Sequence, residues 1–232
     1  MRPAEADEMR HLPLFGGIKP QHLETVLQAS FLQRFPSHVE LVREGEPADF
    51  LHVVIDGQVE IFSSYRDRET TIAVVGPGAC FIAAAVILDR VYLKSARTLC
   101  ASRILLIPAE TVRKVFAEDN AFASHIACEM ALSYRSVVKE LKNQKLRTSL
   151  ERLANWLILQ DKMTGSTGTF QVPFDKKILA AHLGMAPEVL SRSFTSLIPY
   201  GVIVKGPAIT LTDMKALRGL AKPEATIDDP DV

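Results

Sequence analysis

Between Phe31 and Pro108 the chain is cut into short apolar runs by turn residues, and this texture constrains the fold more than any other feature. In "LHVVIDGQVEIF", Val53 and Ile55 alternate ahead of Asp56-Gly57, and Val59 and Ile61 alternate after it. A period of two places one set of side chains on one face of a strand. Asp-Gly between two such runs is a hairpin signal, because that turn takes positive φ at its centre. "TTIAVVGPG" and "RILLIP" read as further strands, with Gly76-Pro77-Gly78 as a hard turn. Many short strands with frequent turns imply a small barrel or sandwich.

The texture changes at Pro108. "AETVRKVFAED" reads as a short helix, and Asn120 is placed to cap a second one running to about Leu146. Along it Ile126, Met130, Val137 and Leu141 recur at spacings of four, seven and four, with Ser133 and Tyr134 between. A buried core helix carries the same seam. The length, and a polar back face of Lys139, Glu140, Lys142 and Lys145, favour helix pairing, and a symmetric dimer is its commonest outcome.

The last third is helical again. "SLERLANWLILQ" puts Leu150, Leu153, Trp156 and Leu157 on one face, "GSTG" is a flexible turn, and "FQVPF" is a short strand. Asp175 is placed to cap "KKILAAHLG", Gly184 closes that helix, and Pro187 opens "PEVLSRSFTSLI". "VIVKGPAITLT" is a hairpin around Gly206-Pro207. Two helices about a tight glycine turn, followed by a hairpin, form a winged helix-turn-helix. The acidic, proline-containing end, "AKPEATIDDPDV", is expected to be a disordered tail.

On the second helix of that motif, Glu188, Ser191 and Arg192 fall at i, i+3 and i+4 and share a face. Arg can fork onto guanine O6 and N7, Glu can accept from cytosine N4, and Ser can bond several bases. Lys176, Lys177, His182 and Lys205 are candidates for phosphates, which fix position rather than sequence. A solvated amphipathic face would look the same on these three residues alone.

Other classes find less support. No run of eighteen apolar residues exists, so no membrane span is expected, and "MRPAEADEMRHLP" lacks an apolar signal core. Lys plus Arg and Asp plus Glu both total 27, so overall charge names no partner. Cys80, Cys100 and Cys128 form no disulfide framework or C-x-x-C pair. No H-x-H, H-E-x-x-H, G-x-S-x-G or phosphate loop occurs, so an enzyme is not expected. A pure interaction protein is the other alternative, separable by measuring sequence-selective DNA binding.

"AAHLGMAPEVLSRSFTSLIPYGVI" resembles the helix-turn-helix of the CRP/FNR superfamily of bacterial transcription regulators. "VREGEPADFLHVVIDGQVEIF" resembles that family's barrel signature, with Gly45, Glu46 and Gly57 at its turns. The resemblance covers about residues 12–217 and implies an α+β fold. A cyclic-nucleotide-binding-like β-barrel (jelly roll) leads into a long dimerisation helix and a C-terminal winged helix-turn-helix. The expected divisions are an arm at 1–18, the sensor barrel at 19–118, the dimerisation helix at 119–147, the DNA-binding domain at 148–218 and the tail at 219–232. It further implies that Glu188, Ser191 and Arg192 read TTGA-type half-sites, that the chain is a cytoplasmic homodimer on double-stranded DNA, and that RNA polymerase is a partner if it activates.

Cyclic-nucleotide-binding members of the family carry a Gly-Glu pair for the ribose and, about ten residues on, Arg-Ser or Arg-Thr for the phosphate. In "FIAAAVILDRVYLKSARTL" these positions hold Ala83-Ala84 and Lys94-Ser95. Lys offers charge without a planar fork, so cyclic AMP is not expected as the ligand. Residues 1–30 hold no cysteine, so no iron–sulfur cluster of the oxygen-sensing branch is expected. What remains is an apolar effector pocket assigned to Phe81, Ile82, Ala84, Val86, Ile87 and Leu88, with Lys94 and Ser95. Residues 89–119 and 131–157 look most like the NNR (NnrR) regulators of denitrification, related to the DNR group. Those are described as responding to nitric oxide, with haem proposed as the sensor. On that reading His11 and His125 are the candidate haem ligands. The alternatives are a thiol switch at Cys80 or Cys100, another small effector, or no ligand.

Overall fold

The computed structural model of the chain describes residues 3–66, 68–172 and 174–229. They fall into two compact units, Met1–Tyr134 and Arg135–Val232, and the division lies inside one long helix.

The first unit opens with α1 (Pro3–Arg10) and α2 (Pro20–Ala29). Six strands follow: β1 (Phe31–Phe35), β2 (Glu40–Val42), β3 (Phe50–Asp56), β4 (Val59–Tyr65), β5 (Arg68–Val75) and β6 (Cys80–Phe81). After α3 (Ala83–Leu88) come β7 (Ser95–Thr98), β8 (Ser102–Pro108) and α4 (Ala109–Glu118). The strands make two antiparallel four-stranded sheets, β1-β8-β3-β6 and β2-β7-β4-β5. Leu51 to Val54 of β3 are all buried, because α4 packs on β3 and both α2 and α4 pack on β8. That double burial explains why "LHVVI" and "RILLI" are nearly continuous apolar runs.

The expected hairpin at Asp56-Gly57 does not form. β3 and β4 lie in different sheets, so the turn carries the chain from one layer to the other. Gly57 has φ 90°, and a Cβ there would sit 2.2 Å from Ser102 Oγ and 2.8 Å from the Ala101 carbonyl oxygen. The glycine is needed for positive φ and for this close approach to the β7–β8 corner. The Gln58 carbonyl then accepts from the Leu99 N–H at 2.8 Å.

The long helix is α5 (Asn120–Leu146). Its cap is Asp119, one residue before the expected Asn120. The Asp119 carboxylate accepts from the Ala121 and Phe122 N–H groups at 3.0 and 3.1 Å, from Lys19 N–H at 3.0 Å and from His22 Nδ1 at 2.9 Å. Backbone donation from Lys19, then the His22 contact, holds this carboxyl well below the ordinary range. A lowered folded-state pKa gives stability that is present above the unfolded value, about 3.9, and is lost as pH falls through the folded one. Asp119→Asn is therefore expected to lower the melting temperature at pH 7. The gap to wild type should begin to narrow below about pH 4 and close only as pH falls through the folded-state value, as read from parallel thermal melts.

The second unit takes the rest of α5, then α6 (Ser149–Met163), β9 (Thr169–Gln171), α7 (Lys176–His182) and α8 (Pro187–Ser196). β10 (Val202–Lys205) and β11 (Ala208–Leu211) form the wing, in a sheet ordered β10-β11-β9, and α9 (Met214–Ala221) and α10 (Ala225–Asp228) follow. Thr148 and Glu151 form a reciprocal capping box that starts α6. Asp175 stands at the N-cap of α7 but makes no side-chain cap bond. Leu153, Leu157, Leu179, Leu190, Leu197, Val202, Ile209 and Leu217 close one core.

The tail expected to be disordered from residue 219 is ordered as far as Asp229, and 230–232 lie outside the described residues. Asp228 pairs both carboxylate oxygens with Arg147, at 2.7 and 2.5 Å, and Lys142 Nζ donates to Thr226 Oγ1. Composition suggested a solvated segment. The acidic residue instead has a specific guanidinium partner at the end of α5.

Candidate nucleic-acid interface and sensor site

The turn between α7 and α8 is built on Gly184, with φ 61°. A Cβ there would meet Gln144 Oε1 at 2.2 Å, so the position needs glycine both for its backbone and for room. The carbonyls that close α7 are held by a residue the sequence did not flag. Arg152, 7% exposed, donates from Nε to the Leu183 carbonyl at 2.8 Å and from Nη2 to the Gly184 carbonyl at 3.2 Å. Its Nη1 donates to the Arg147 carbonyl at 2.8 Å.

On α8, Leu190, Ser193 and Phe194 face the core, as does Leu197 just past its end, while Glu188, Ser191 and Arg192 are exposed together on the first turns. Lys176, Lys177 and Lys205 are exposed as well, and Lys176 Nζ lies 5.7 Å from the Phe194 ring centre. His182 differs from its expected role. Its Nδ1 is buried without a hydrogen-bond partner among the described residues, and burial lowers its pKa. A neutral, inward imidazole is a poor phosphate clamp.

In the sensor domain, the stretch assigned to an apolar pocket is mostly packed core. Phe81, Ile82 and Val86 are buried, and the Phe81 ring stacks on His52 at 5.2 Å. Leu88 and Ala84 are exposed, and Ile87 is half-buried. Ile82 adopts φ 64°, a left-handed conformation costly for a β-branched residue, at the entry to α3. Lys94 is half-buried, burial lowers its pKa, and it has no hydrogen-bond or ion-pair partner among the described residues. Ser95 Oγ accepts from the Glu44 N–H at 3.0 Å.

The residues assigned to haem do not fit it. His11 is exposed on the arm. His125 Nε2 is engaged by the Gly16 carbonyl oxygen at 2.8 Å, and a Cβ on Gly16 would lie 3.0 Å from that nitrogen. No cluster of three or more His, Cys, Asp or Glu suited to a metal occurs among the described residues. Burial, then the charge of Glu129, pushes the Cys80 thiol well above its usual range, which argues against a thiolate switch there. Cys100 is exposed.

Of the four residues in the expected dimer seam, Ile126 is 0% exposed within its own chain and Met130 packs partly against the barrel core. Both are used to hold α5 to the first unit. Val137 and Leu141 are more than half exposed, and Tyr134 and Val138 join them on the same stretch. The apolar strip is thus displaced toward the C-terminal half of α5. Among the described residues no helix is long and apolar enough to cross a membrane.

Residues 32–119 match the cyclic nucleotide-binding domain family and residues 151–220 match the Crp-like helix-turn-helix domain family. The CRP-like cAMP-activated global transcriptional regulator of Mycobacterium tuberculosis is 21% identical over 215 residues, spanning 90% of this chain and 96% of that one. The structure of a regulatory protein from Silicibacter pomeroyi is 27% identical with a TM-score of 0.59, covering 96% of this chain and 100% of its own. FixK2 from Bradyrhizobium japonicum, at 21% identity, superposes with a TM-score of 0.74 over 84% of this chain and 99% of its own. Two domain matches in the family's order, joined by the long helix and ending in a winged recognition helix, place the chain in the CRP/FNR family of DNA-binding transcription regulators.

Proposed function

We propose that the chain acts as a homodimer that sets two copies of α8 into successive major grooves of a TTGA-N-TCAA pseudo-palindrome. The joint exposure of Glu188, Ser191 and Arg192 on the first turns of α8, with the apolar side buried, carries this reading. A two-fold dimer requires half-sites about one turn of B-DNA apart. Arg192→Ala is expected to cost about 1–3 kcal/mol at the contacted guanine and to blur preference at that position. Lys177→Ala should weaken all sequences alike and flatten the salt dependence. Competition binding at matched salt separates the two. An operator preference that survives Arg192→Ala would remove this assignment.

The sensor domain answers a small effector other than cyclic AMP. Ala84 stands where the resemblance needs a ribose-binding carboxylate, and the unpaired, half-buried Lys94 favours an effector that presents an oxygen acceptor. A nitric-oxide response, a haem held by His11 or His125 and denitrification targets are implied by the resemblance alone. Cyclic AMP at about 1 mM is expected to leave operator affinity within about twofold of the free protein. A tenfold rise in an operator titration would show that Lys94 and Ser95 suffice for a cyclic phosphate.

A further inference from the structure

We propose that the barrel carries a second ligand site, separate from the nucleotide cassette, that takes an organic ammonium ion with an aromatic or apolar body. A cavity of about 480 Å³ opens at the end of the barrel where β1, β2 and the start of β3 meet. That volume is in the range of about 300–1,000 Å³ used for small ligands. Ala84, Lys94 and Ser95 are not among its lining residues.

The strand register builds the site. Leu106 of β8 pairs with Phe31 of β1 on one side and with His52 of β3 on the other, so the three side chains share one face. Phe35 and Phe50 follow by alternation, and Tyr92 closes the wall. Phe31 and Phe50 meet edge to face, 6.5 Å between centres at 75°. The Tyr92 hydroxyl donates to the Phe50 carbonyl at 3.1 Å and fixes that corner. Phe31 is 51% exposed, which leaves aromatic surface at the mouth. Aromatic walls attract cations through the ring quadrupole.

The charge lining this cavity has one sign. Glu46 and Asp49 are its carboxylates, and among the described residues no Lys or Arg lines it. Arg43 is held by Glu40 at 2.7 Å and reaches Glu46 only at 3.8 Å. His52 adds no positive charge, because burial pushes its pKa down to about 4, against a smaller opposing contribution from the Phe50 backbone. Its ring is 3% exposed, and Nδ1 has no hydrogen-bond partner among the described residues. A buried nitrogen left unpaired is costly, and a ligand N–H reaching the ring would satisfy it.

These features select among ligand classes. An anion meets two carboxylates. A neutral aromatic leaves them unused. A quaternary ammonium has no N–H for the imidazole. A primary or secondary ammonium on an apolar body uses the aromatic walls, the carboxylates and the free nitrogen together.

The probe is 2-phenylethylammonium, titrated calorimetrically into the full-length protein with the His52 imidazole ¹⁵N signals followed by NMR. Saturable binding of one probe per chain is expected, with those signals shifted. The exposed pair E46Q/D49N should weaken it about tenfold, and neutral 2-phenylethanol should bind about tenfold more weakly than the amine. Anionic 3-phenylpropionate should not bind. No saturable binding of the amine up to about 10 mM would overturn the proposal. So would equal affinity for amine and alcohol, or an affinity untouched by E46Q/D49N.

Discussion

Val138→Glu combined with Leu141→Glu is expected to give a monomer and to lower operator affinity by about 10²- to 10⁴-fold. Both side chains lie in the exposed apolar strip of α5, with Leu141 more than half exposed in the single chain. Replacing them removes nothing from the chain's own core, so each unit should keep its fold and its circular dichroism. In a two-fold dimer the two carboxylates of one helix would face their own copies, and like charges brought together out of water are strongly unfavourable. The loss on DNA follows from linkage. A dimer binds its second half-site as an intramolecular event, and that advantage is worth about 10²- to 10⁴-fold. Sedimentation velocity reads the first effect and an operator titration the second. Ile126→Glu is the contrasting variant. Ile126 is wholly buried against the barrel, so it should unfold the first unit rather than separate two folded ones. A stable dimer carrying both Val138→Glu and Leu141→Glu would remove the strip from the argument.

The displacement of that strip shows what periodicity can and cannot say. Ile126, Met130, Val137 and Leu141 do repeat at helical spacing, but a repeat does not name the surface it meets. The first two meet the barrel and the last two stay open. The Asp56-Gly57 turn has the same limit. Alternating runs on both sides fixed two strands correctly, while the choice between pairing and crossing to the other sheet depends on the corner at Ala101 and Ser102, far along the chain. The recognition helix was legible because its signals are local: Pro187 at its start, buried Leu190 and Phe194, exposed Glu188, Ser191 and Arg192. The sensor was less so. "FIAAAVIL" is apolar enough for a pocket lining or a core, and packing decided for core at Phe81, Ile82 and Val86. His52 sat in a strand alternation that gave no sign of the cavity beside it, since that cavity is assembled from β1, β2, β3, β8 and the Tyr92 segment. The tail was misread because composition counts charges without showing their partners, and Arg147 lies 81 residues from Asp228.

Arg152→Leu should have the largest effect on the stability of the second unit. The guanidinium is buried and spans three backbone carbonyls, those of Leu183, Gly184 and Arg147. Two of them lie at the turn between α7 and α8, and the third is at the end of α5. The bond to Leu183 is buried, while those to Gly184 and Arg147 are part-buried, so water recovers some of what those two lose. Hydrogen bonds from a charged donor contribute about 1.5–3 kcal/mol each, and a buried carbonyl left without a donor costs about 1–3 kcal/mol. The desolvation of the guanidinium, which lowers its pKa, offsets part of that sum. A net loss of about 3 kcal/mol is therefore expected, or roughly 10–20 °C in the melting of a domain this size. Arg152→Lys should recover only part of it, since one ammonium cannot span three carbonyls held by a planar fork. The same three bonds fix the turn that presents α8, so operator binding should weaken even at temperatures where the variant remains folded. Calorimetry of the full-length protein should show the second unit's transition moving down while that of the barrel holds. A shift below about 3 °C in Arg152→Leu would mean that other contacts already fix the turn, and that the buried arginine is not what orders the recognition helix.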